Sequence, residues 1–305
     1  MKQDITSSGR MDVREQIATG KLVCPRSKKR LFLDEKNSCL ITDDKSAKYP
    51  LLNGSIPILL ADQEWANEYT SSFSGTKGPC PAESESSLFG KLKALLLKDH
   101  RTDSSVAAFD SVIATAPEDA LCLSIGGGPY RRCPSLVNLN IEPFPGVDVV
   151  ADAHFLPYAD ESVDAIFCEA VLEHLYDPGR AVSEMYRVLK AGGKVLAITP
   201  FLQPYHGYPH HYQNFTLRGH IQLFTSKKFD ISESGTCVGP TFALVVLNYK
   251  YIEQYVPLGK LLSKMYGVIA VLFTPIDRLL NDKPNAHTLA STTYVVAKKA
   301  ATTTE

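Results

Sequence analysis

The chain has 305 residues, which is enough for one large α/β domain with a small appendage or for two domains. Hydrophobic residues make up 44% and charged residues 21% of it, the proportions of an ordinary globular protein. Because 32 basic and 33 acidic residues nearly cancel, net charge gives no basis for a broad role in binding nucleic acid, and we do not expect nucleic acid as a partner.

The N-terminus, MKQDITSSGR, is polar and has no apolar core after its first basic residue, so we expect no secretory signal peptide. The longest strongly apolar stretch, residues 267–273, is too short to span a bilayer. Seven cysteines are scattered without the spacing of a disulfide framework, which favours reduced thiols. Together these features predict a cytoplasmic protein.

Short apolar runs interrupted by proline, glycine and asparagine occupy the first part of the chain. This pattern predicts a small β-rich domain over residues 1–61. Residues 62–104 are predicted to be a linker, rich in serine, glycine and proline at its centre, with one short amphipathic helix at 88–97. The predicted main domain covers residues 105–305.

From residue 105 onward, strand-like and helix-like segments alternate, which is typical of a parallel sheet. We predict an α/β fold with a Rossmann-like, seven-stranded, mostly parallel sheet and flanking helices. A helix is expected at 178–190, with Asp177 as its N-cap and Pro178 in its first position. The insertion 242–281 is expected to form two apolar-faced helices separated near Pro257. The strands are expected at residues 121–125, 137–141, 147–151, 163–168, 194–199, 229–234 and 293–297.

Glycines or carboxylates follow the first three predicted strands of this domain. Gly126, Gly127 and Gly128 come directly after the first strand, where glycine lets the backbone turn sharply and approach a ligand closely. Glu142 stands at the tip of the second strand, and Asp152 ends the third. Because the carboxyl ends of parallel strands meet at one crevice, this set predicts a site for a nucleotide-like cofactor, whose ribose a carboxylate can bind.

Four motifs follow one another between residues 123 and 199. They are SIGGGP at 124–129, NIEP at 140–143, VVADAHFLPYADESVDAIFCEAVLEHLYDP at 149–178 and AVSEMYRVLKAGGKVLAITP at 181–200. Together they resemble the class I S-adenosylmethionine (SAM)-dependent methyltransferase family, in its small-molecule, type-11-like branch. The resemblance implies SAM as the cofactor and methyl transfer as the activity.

The resemblance also implies which residues hold the cofactor. The implied contacts are Gly126, Gly127 and Gly128 at the methionine end of SAM, Glu142 at the ribose, Asp152 with Ala153 at the adenine, and the segment starting at Glu169 closing the site from the fourth strand.

The sequence departs from the family at two points beside this site. Ser124 replaces the usual acidic residue before the glycine turn, which puts a contact to the SAM amino group in doubt. The crossover from Gly128 to Val137 is too short for a full helix, so we expect no helix dipole at the cofactor. The short crossover also argues against NAD as the cofactor, because a dinucleotide needs a full helix at this point. In addition, Arg131 occupies the position of the third glycine in the dinucleotide-binding motif G-x-G-x-x-G.

Histidines and tyrosines mark the predicted acceptor side. His174 follows the fourth strand, where the methyl group should point, and is interpreted as a catalytic base or as a packed structural histidine. The loop FLQPYHGYPHHY at 201–212 follows the fifth strand and resembles the H-x-x-P-x-x-Y element of related methyltransferases. We predict His206 as a second catalytic residue. The predicted acceptor-binding residues are His206, His210, His211 and Tyr212.

We predict no metal site in the chain. The imidazoles of the acceptor side are not accompanied by an H-E-x-x-H motif or a matched carboxylate set. In the N-terminal unit, Cys24-Pro25-x-Ser27 and Cys39-x-x-Thr42 resemble the zinc-ribbon-like domain of the activator subunit of tRNA methyltransferases, which in its zinc form has two Cys-x-x-Cys pairs. Neutral hydroxyls are poor zinc ligands, so we interpret this unit as a metal-free appendage that packs on the main domain, with a partner-binding module as the alternative.

These observations lead to one main hypothesis and two alternatives. The chain is predicted to be a SAM-dependent methyltransferase that modifies an oxygen, or a nitrogen, of a small-molecule, sugar or lipid acceptor. The alternatives are a non-catalytic binding or regulatory protein that keeps the fold, and a nucleotide-dependent oxidoreductase, which the curtailed helix disfavours. The helices around 258–281 suggest peripheral membrane contact, a dimer face or a cap over the acceptor pocket.

Overall fold

We describe the fold from a computed structural model over residues 11–62, 101–117, 119–129, 131–207, 210–270, 272–281 and 283–301. Most of the predicted linker, including its helix at 88–97, lies outside these ranges.

The strands of the described ranges join into one sheet of eleven, with the order β1-β2-β3-β4-β7-β6-β5-β8-β9-β11-β10. In chain order they are β1 (Leu31–Asp34), β2 (Cys39–Thr42), β3 (Lys48–Leu52), β4 (Ile56–Leu59), β5 (Cys122–Ile125), β6 (Leu136–Asn140), β7 (Val149–Ala151), β8 (Val163–Glu169), β9 (Leu189–Pro200), β10 (Phe229–Val238) and β11 (Thr292–Lys299).

The predicted count of seven strands is wrong for the whole sheet. All seven predicted strands are present as β5–β11, and the five central pairings from β4 to β9 are parallel. The sheet does not end at β7, because β4 of the N-terminal unit pairs with it through Ile58 opposite Val150 and Leu59 opposite Ala151. An unpaired edge strand leaves backbone donors and acceptors open, and this pairing satisfies them on β7. At the other end β11 is antiparallel to β9 and β10, so the sheet is mixed.

Helices cover the faces of the sheet and build the insertion. They are α1 (Val13–Ala18), α2 (Asp103–Ala114), α3 (Pro178–Val188), α4 (Leu217–Thr225), α5 (Pro240–Tyr255), α6 (Gly259–Ala270) and α7 (Asp277–Leu280).

Helix α3 begins as the sequence predicts. The Asp177 side chain accepts a hydrogen bond from the Arg180 backbone N–H, and Pro178 occupies the first turn. The helix ends at Val188, two residues before the predicted end, because β9 begins at Leu189. The insertion forms the two predicted helices, α5 and α6, and they separate beside Pro257.

The N-terminal unit shares its hydrophobic core with the main domain. Leu22 is fully buried and forms a bridge with Tyr158. The Tyr158 hydroxyl donates to Gln16 Oε1 at 3.2 Å, and Lys28 Nζ pairs with Glu184 at 2.9 Å. Residues 11–62 therefore pack directly on the loop that follows β7 and on α3.

Cys24 and Thr42, two of the positions that resemble a zinc ribbon, make hydrogen bonds inside the N-terminal unit. Cys24 Sγ lies 3.1 Å from the Tyr49 hydroxyl and accepts from the Ser27 backbone N–H at 3.4 Å. Burial alone raises the pKa of Cys24, but these hydrogen bonds outweigh burial and lower it. The Thr42 hydroxyl accepts from the Ala47 N–H at 3.0 Å. The zinc-ribbon resemblance stays a prediction.

Among the helices that the structure describes, none is by itself long and apolar enough to cross a bilayer, although the bent pair Gly259–Ala270 and Thr274–Leu280 has the combined length and composition to do so.

Candidate functional site

A cavity of about 520 Å³ lies at the carboxyl ends of β5, β6, β7 and β8. Its volume falls within the range of small-molecule and cofactor sites, and its position is the crevice where open α/β sheets bind ligands. Its walls contain both apolar and polar side chains from four strand ends. The lining includes Gly126, Gly128, Glu142, Asp152, Ala153, His154, Ala170, Val171, His174, Tyr176, His206, His210 and Tyr212.

The glycine turn forms one end of this cavity. Gly126 has a φ of +72° and Gly128 a φ of +59°, which are left-handed conformations that favour glycine. A Cβ on Gly126 would overlap a methyl group of Val171. Gly127 has no place in the cavity wall, because it faces Asn138 and Ser124, where a Cβ would collide with their polar atoms. Of the three predicted glycines, two therefore line the cavity and the third packs against the sheet.

The two predicted carboxylates converge on the same cavity. Glu142 lies two residues beyond β6, and its backbone N–H donates to Asn140 Oδ1 at 3.1 Å. Asp152 follows β7, and its Oδ1 accepts from the His154 N–H at 2.9 Å and lies 2.7 Å from His154 Nδ1. One oxygen of Asp152 is thus committed to the turn that begins with Ala153.

Sequence reasoning missed an aromatic pair in the wall. The buried ring of His154 stacks on the exposed ring of Tyr176, with centroids 4.1 Å apart and planes 21° from parallel. Asp152 and the Asp177 backbone N–H contact the two ring nitrogens of His154. Both residues lie in the motif already quoted, in the segments DAH at 152–154 and LYD at 175–177. Their contact could not be predicted, because only the fold brings the two segments together.

Glu169 does not form the wall that the sequence predicts for it. Its carboxylate pairs with Arg101 at 2.8 Å and with Arg132, and it is absent from the cavity lining. Two guanidinium groups hold the side chain away from the cavity, so the next residues, Ala170 and Val171, close the site from β8 instead.

The predicted absence of a helix after the glycine turn is confirmed for the described residues between Gly128 and β6. Arg131 tethers this crossover instead. Its guanidinium donates to the Gly146 carbonyl at 2.7 Å and pairs with Asp148 at 2.8 Å. The loop is therefore held down at the position where a dinucleotide-binding protein has its third glycine.

A second group of lining residues, His174, His206, His210 and Tyr212, forms what we call the acceptor wall. His211, which was predicted with them, lies outside the cavity lining. Its Nδ1 accepts from the His206 backbone N–H at 3.2 Å, and its Nε2 lies 2.7 Å from Asn214 Oδ1. His211 therefore supports the loop that carries His206.

Backbone contacts fix the geometry of the acceptor wall. The Tyr212 N–H donates to the Glu173 carbonyl at 2.8 Å, which ties the loop after β9 to the turn after β8. His174 Nδ1 lies 2.6 Å from the His210 carbonyl, and His206 Nδ1 lies 3.0 Å from the Pro204 carbonyl. Because a carbonyl oxygen can only accept, both Nδ1 atoms carry a proton, and in the neutral rings both Nε2 atoms present a lone pair.

These two Nε2 atoms face the carboxylate of Glu173. Each lies 3.8 Å from Glu173 Oε1, and the Glu173 side chain is fully buried. Within the described residues, neither carboxylate oxygen accepts a hydrogen bond. The neighbouring Glu173 carboxylate raises the pKa of His206. No sequence motif pointed to this group of three, because His206 stands 32 positions after His174 and belongs to no metal-binding motif.

Part of this site lies in a segment that is similar to a known family. Residues 134–197 match the family described as "Methyltransferase domain". This segment contains β6, β7, β8 and most of β9, with Glu142, Asp152, Glu173 and His174. The prediction that the chain contains methyltransferase-domain sequence is confirmed for these residues.

Individual relatives agree with the family match. An uncharacterized methyltransferase from Mycobacterium sp. (strain KMS) is 35% identical over 114 residues, which cover 31% of this chain and 44% of the relative. Demethylmenaquinone methyltransferase from Renibacterium salmoninarum is 42% identical over 64 residues, which cover 21% of this chain and 27% of the relative. The chain thus spans less than half the length of these curated relatives.

Phosphoethanolamine N-methyltransferase 2 from Haemonchus contortus, in complex with SAM, is 15% identical, has a TM-score of 0.41, and covers 72% of this chain and 58% of that chain.

Proposed function

We propose that the chain transfers the methyl group of SAM to an oxygen, or a nitrogen, of a small-molecule, sugar or lipid acceptor. The observation that carries this proposal is the convergence of a glycine turn, Glu142 and Asp152 on one cavity at the ends of three adjacent parallel strands. The match of residues 134–197 to a methyltransferase domain supports it.

In this proposal the cofactor runs along the strand ends. The methionine end lies against the backbone of Gly126 and Gly128, where no side chain intrudes. Glu142 accepts hydrogen bonds from the ribose hydroxyls, as a carboxylate with several lone pairs can. The adenine lies beside Asp152 and the Ala153 backbone. The sulfonium methyl group then points toward the acceptor wall.

Methyl transfer from SAM is an in-line displacement. A lone pair of the acceptor attacks the methyl carbon while the carbon–sulfur bond breaks, and S-adenosylhomocysteine leaves. The enzyme has to align the acceptor and to remove its proton. His174 and His206 are proposed for this role because both imidazole rings line the cavity and each is held in place at Nδ1 by a backbone carbonyl.

The alternative is a binding or regulatory protein that keeps the cofactor site without turnover. Ser124 stands where the family has an acidic residue, and one oxygen of Asp152 is already occupied by His154. Both features reduce the contacts available to the cofactor. Binding and turnover therefore have to be measured separately.

Calorimetry with SAM and with NAD tests the cofactor, and incubation with methyl-labelled SAM and fractionated small molecules and lipids tests turnover. We expect heat of binding with SAM alone and label in one acceptor fraction. Absence of SAM binding at high protein concentration overturns the proposal. SAM binding with no labelled product in any fraction rejects catalysis in favour of the alternative.

We propose in addition that α6 contacts an anionic membrane surface, as a peripheral attachment of a cytoplasmic protein. Leu261, Met265 and Ile269 follow one another at four-residue spacing and are more than half exposed, and Leu272 beyond the helix is 74% exposed. The helix sequence GKLLSKMYGVIA has two lysines and no acidic residue, which complements anionic headgroups.

A further inference from the structure

We propose that Glu173, His174 and His206 form a binding site for one divalent transition-metal ion of the Zn²⁺ type in the acceptor wall. Each residue offers one ligand atom, and the three atoms lie within 4.8 Å of one another. Two imidazoles and one carboxylate are a ligand set that suits zinc and its neighbours in the first transition row, whereas calcium and magnesium prefer oxygen ligands alone.

The hydrogen bonds of the two imidazoles prepare them for a metal. His174 donates from Nδ1 to the His210 carbonyl, and His206 donates from Nδ1 to the Pro204 carbonyl. These bonds fix the tautomer and the orientation of each ring, and they leave Nε2 as the free ligand atom. Metal-binding histidines in proteins are held in this way by a second partner at the other ring nitrogen.

The carboxylate supplies the second, independent observation. Glu173 is fully buried, and within the described ranges neither of its oxygens accepts a hydrogen bond. A buried, ionised carboxylate is costly unless it is paired or binds a metal. Here its Oε1 faces two Nε2 lone pairs at 3.8 Å, so three electron-pair donors converge on one point. A cation at that point stabilises all three at once.

Metal binding requires the three ligand atoms, which all lie within 4.8 Å of one another, to move closer together. Ligand atoms bound to zinc at about 2.0–2.2 Å stand roughly 3.3–3.5 Å apart in a tetrahedron. The Nε2–Oε1 distances of 3.8 Å therefore have to shorten by a few tenths of an ångström. A tetrahedral ion with three protein ligands keeps one position open, as catalytic zinc sites do.

The open position faces the cavity, because His174 and His206 both line it. A metal there would occupy both Nε2 lone pairs, bind an oxygen of the acceptor and lower the pKa of its hydroxyl. The hydroxyl proton would then pass to water, and the metal would replace the imidazole base in this step. This role rests on the proposed function and narrows the acceptor to a molecule with a metal-binding oxygen, such as a hydroxyl beside a carbonyl. Metal binding itself does not depend on that function.

The test uses the full chain, freed of metal with a chelator and titrated with Zn²⁺ by calorimetry and with Co²⁺ by visible absorption. We expect one ion per chain and the d–d bands of a four-coordinate nitrogen and oxygen site. Glu173→Gln and His206→Gln should each weaken binding by about 100-fold or more, beyond the 10–100-fold loss typical of outer partners. The matched control His287→Gln removes an imidazole bonded to Pro284 in another part of the fold and should stay within about threefold of the wild type.

Three results would overturn the proposal. One is the absence of stoichiometric binding, and another is wild-type affinity in both ligand variants with their folds intact by circular dichroism. The third is a thiolate-to-cobalt charge-transfer band, which would assign the ion to cysteines. SAM calorimetry on metal-free chain separates the two proposals: SAM should still bind, since the cofactor contacts lie on the other strand ends. Failure of SAM binding with intact zinc binding would reject the proposed function and leave the metal site standing.

Discussion

At the scale of single residues, Glu142 gives the sharpest test of the cofactor site. Its carboxylate lies in the cavity, one strand away from the glycine turn. Glu142→Ala should weaken SAM binding by roughly 1–3 kcal/mol, because the ribose hydroxyls lose a charged acceptor. Calorimetry of the variant against wild type measures this loss.

The matched control for Glu142 is Glu35→Ala, which removes an exposed carboxylate next to β1. It should leave SAM affinity unchanged. Equal affinities of Glu142→Ala and wild type would show that the ribose lies elsewhere.

His220 predicts how stability depends on pH. It is fully buried in α4, its Nδ1 lies 3.2 Å from the hydroxyls of both Thr199 and Thr293, and burial lowers its pKa to about 3. In the unfolded chain the pKa is about 6.5, so between these values the unfolded state binds the extra proton. The contribution of His220 is complete above about pH 6.5 and is lost as the pH falls, by about 1.4 kcal/mol per pH unit.

Urea unfolding at pH 7.5 and pH 5 measures this contribution in wild type and in His220→Asn, which keeps a polar partner for the two threonines. Wild type should lose about 2 kcal/mol more than the variant on acidification. Equal losses in the two proteins would mean that His220 accepts a proton in the folded state.

At the scale of elements, α6 carries the predicted membrane contact. Met265→Glu puts a negative charge in the middle of its exposed apolar face. If this face binds anionic lipid, the substitution should abolish cosedimentation with phosphatidylglycerol vesicles without lowering the melting temperature, because the side chain is 57% exposed.

Val106→Glu is the control for this experiment, since Val106 is an exposed apolar residue on a different helix, α2. It should cosediment as wild type does. The contrary outcome is a wild-type protein that does not cosediment with the vesicles and elutes as a dimer, while Met265→Glu elutes as a monomer. In that case the face is an interface between two copies of the chain and the membrane proposal is wrong.

The individual elements were largely predictable. Strands β5–β11 overlap their predicted positions, because the parallel strands β5–β8 are short apolar runs bounded by glycine or acidic residues and the remaining three contain apolar runs of the same kind. Helix α3 was predictable from Asp177 and Pro178 at its start and from its apolar face. The pairing of β4 with β7 was not, because the two strands lie about 90 positions apart and no local pattern specifies a partner.

At the scale of the whole molecule, the shared core predicts one cooperative unfolding unit. Leu22 is fully buried where the N-terminal unit meets Tyr158 of the main domain. Leu22→Ala should destabilise the protein by about 2–5 kcal/mol through the lost contacts and the cavity left behind. Hydrogen exchange should show this loss in the protection of both β2 and β8.

Phe32→Ala serves as the comparison, because Phe32 is an exposed apolar residue of the same unit. It should cost much less stability. A Leu22→Ala protein in which β2 loses protection while β8 keeps it would mean that residues 11–62 unfold independently.

The sequence by itself determined the order of strands along the chain, the glycine turn, and the carboxylates Glu142 and Asp152 at the strand ends. These features could be predicted because the hydrophobic pattern of a strand and the turn residues that end it are local properties of the chain. Only the tertiary structure decided which side chains share a space. It paired Glu169 with two arginines, turned His211 into a support for His206, and brought Glu173 against His174 and His206. These outcomes depend on distances between segments far apart in the chain, which are set when the loop after β9 folds back on the turn after β8.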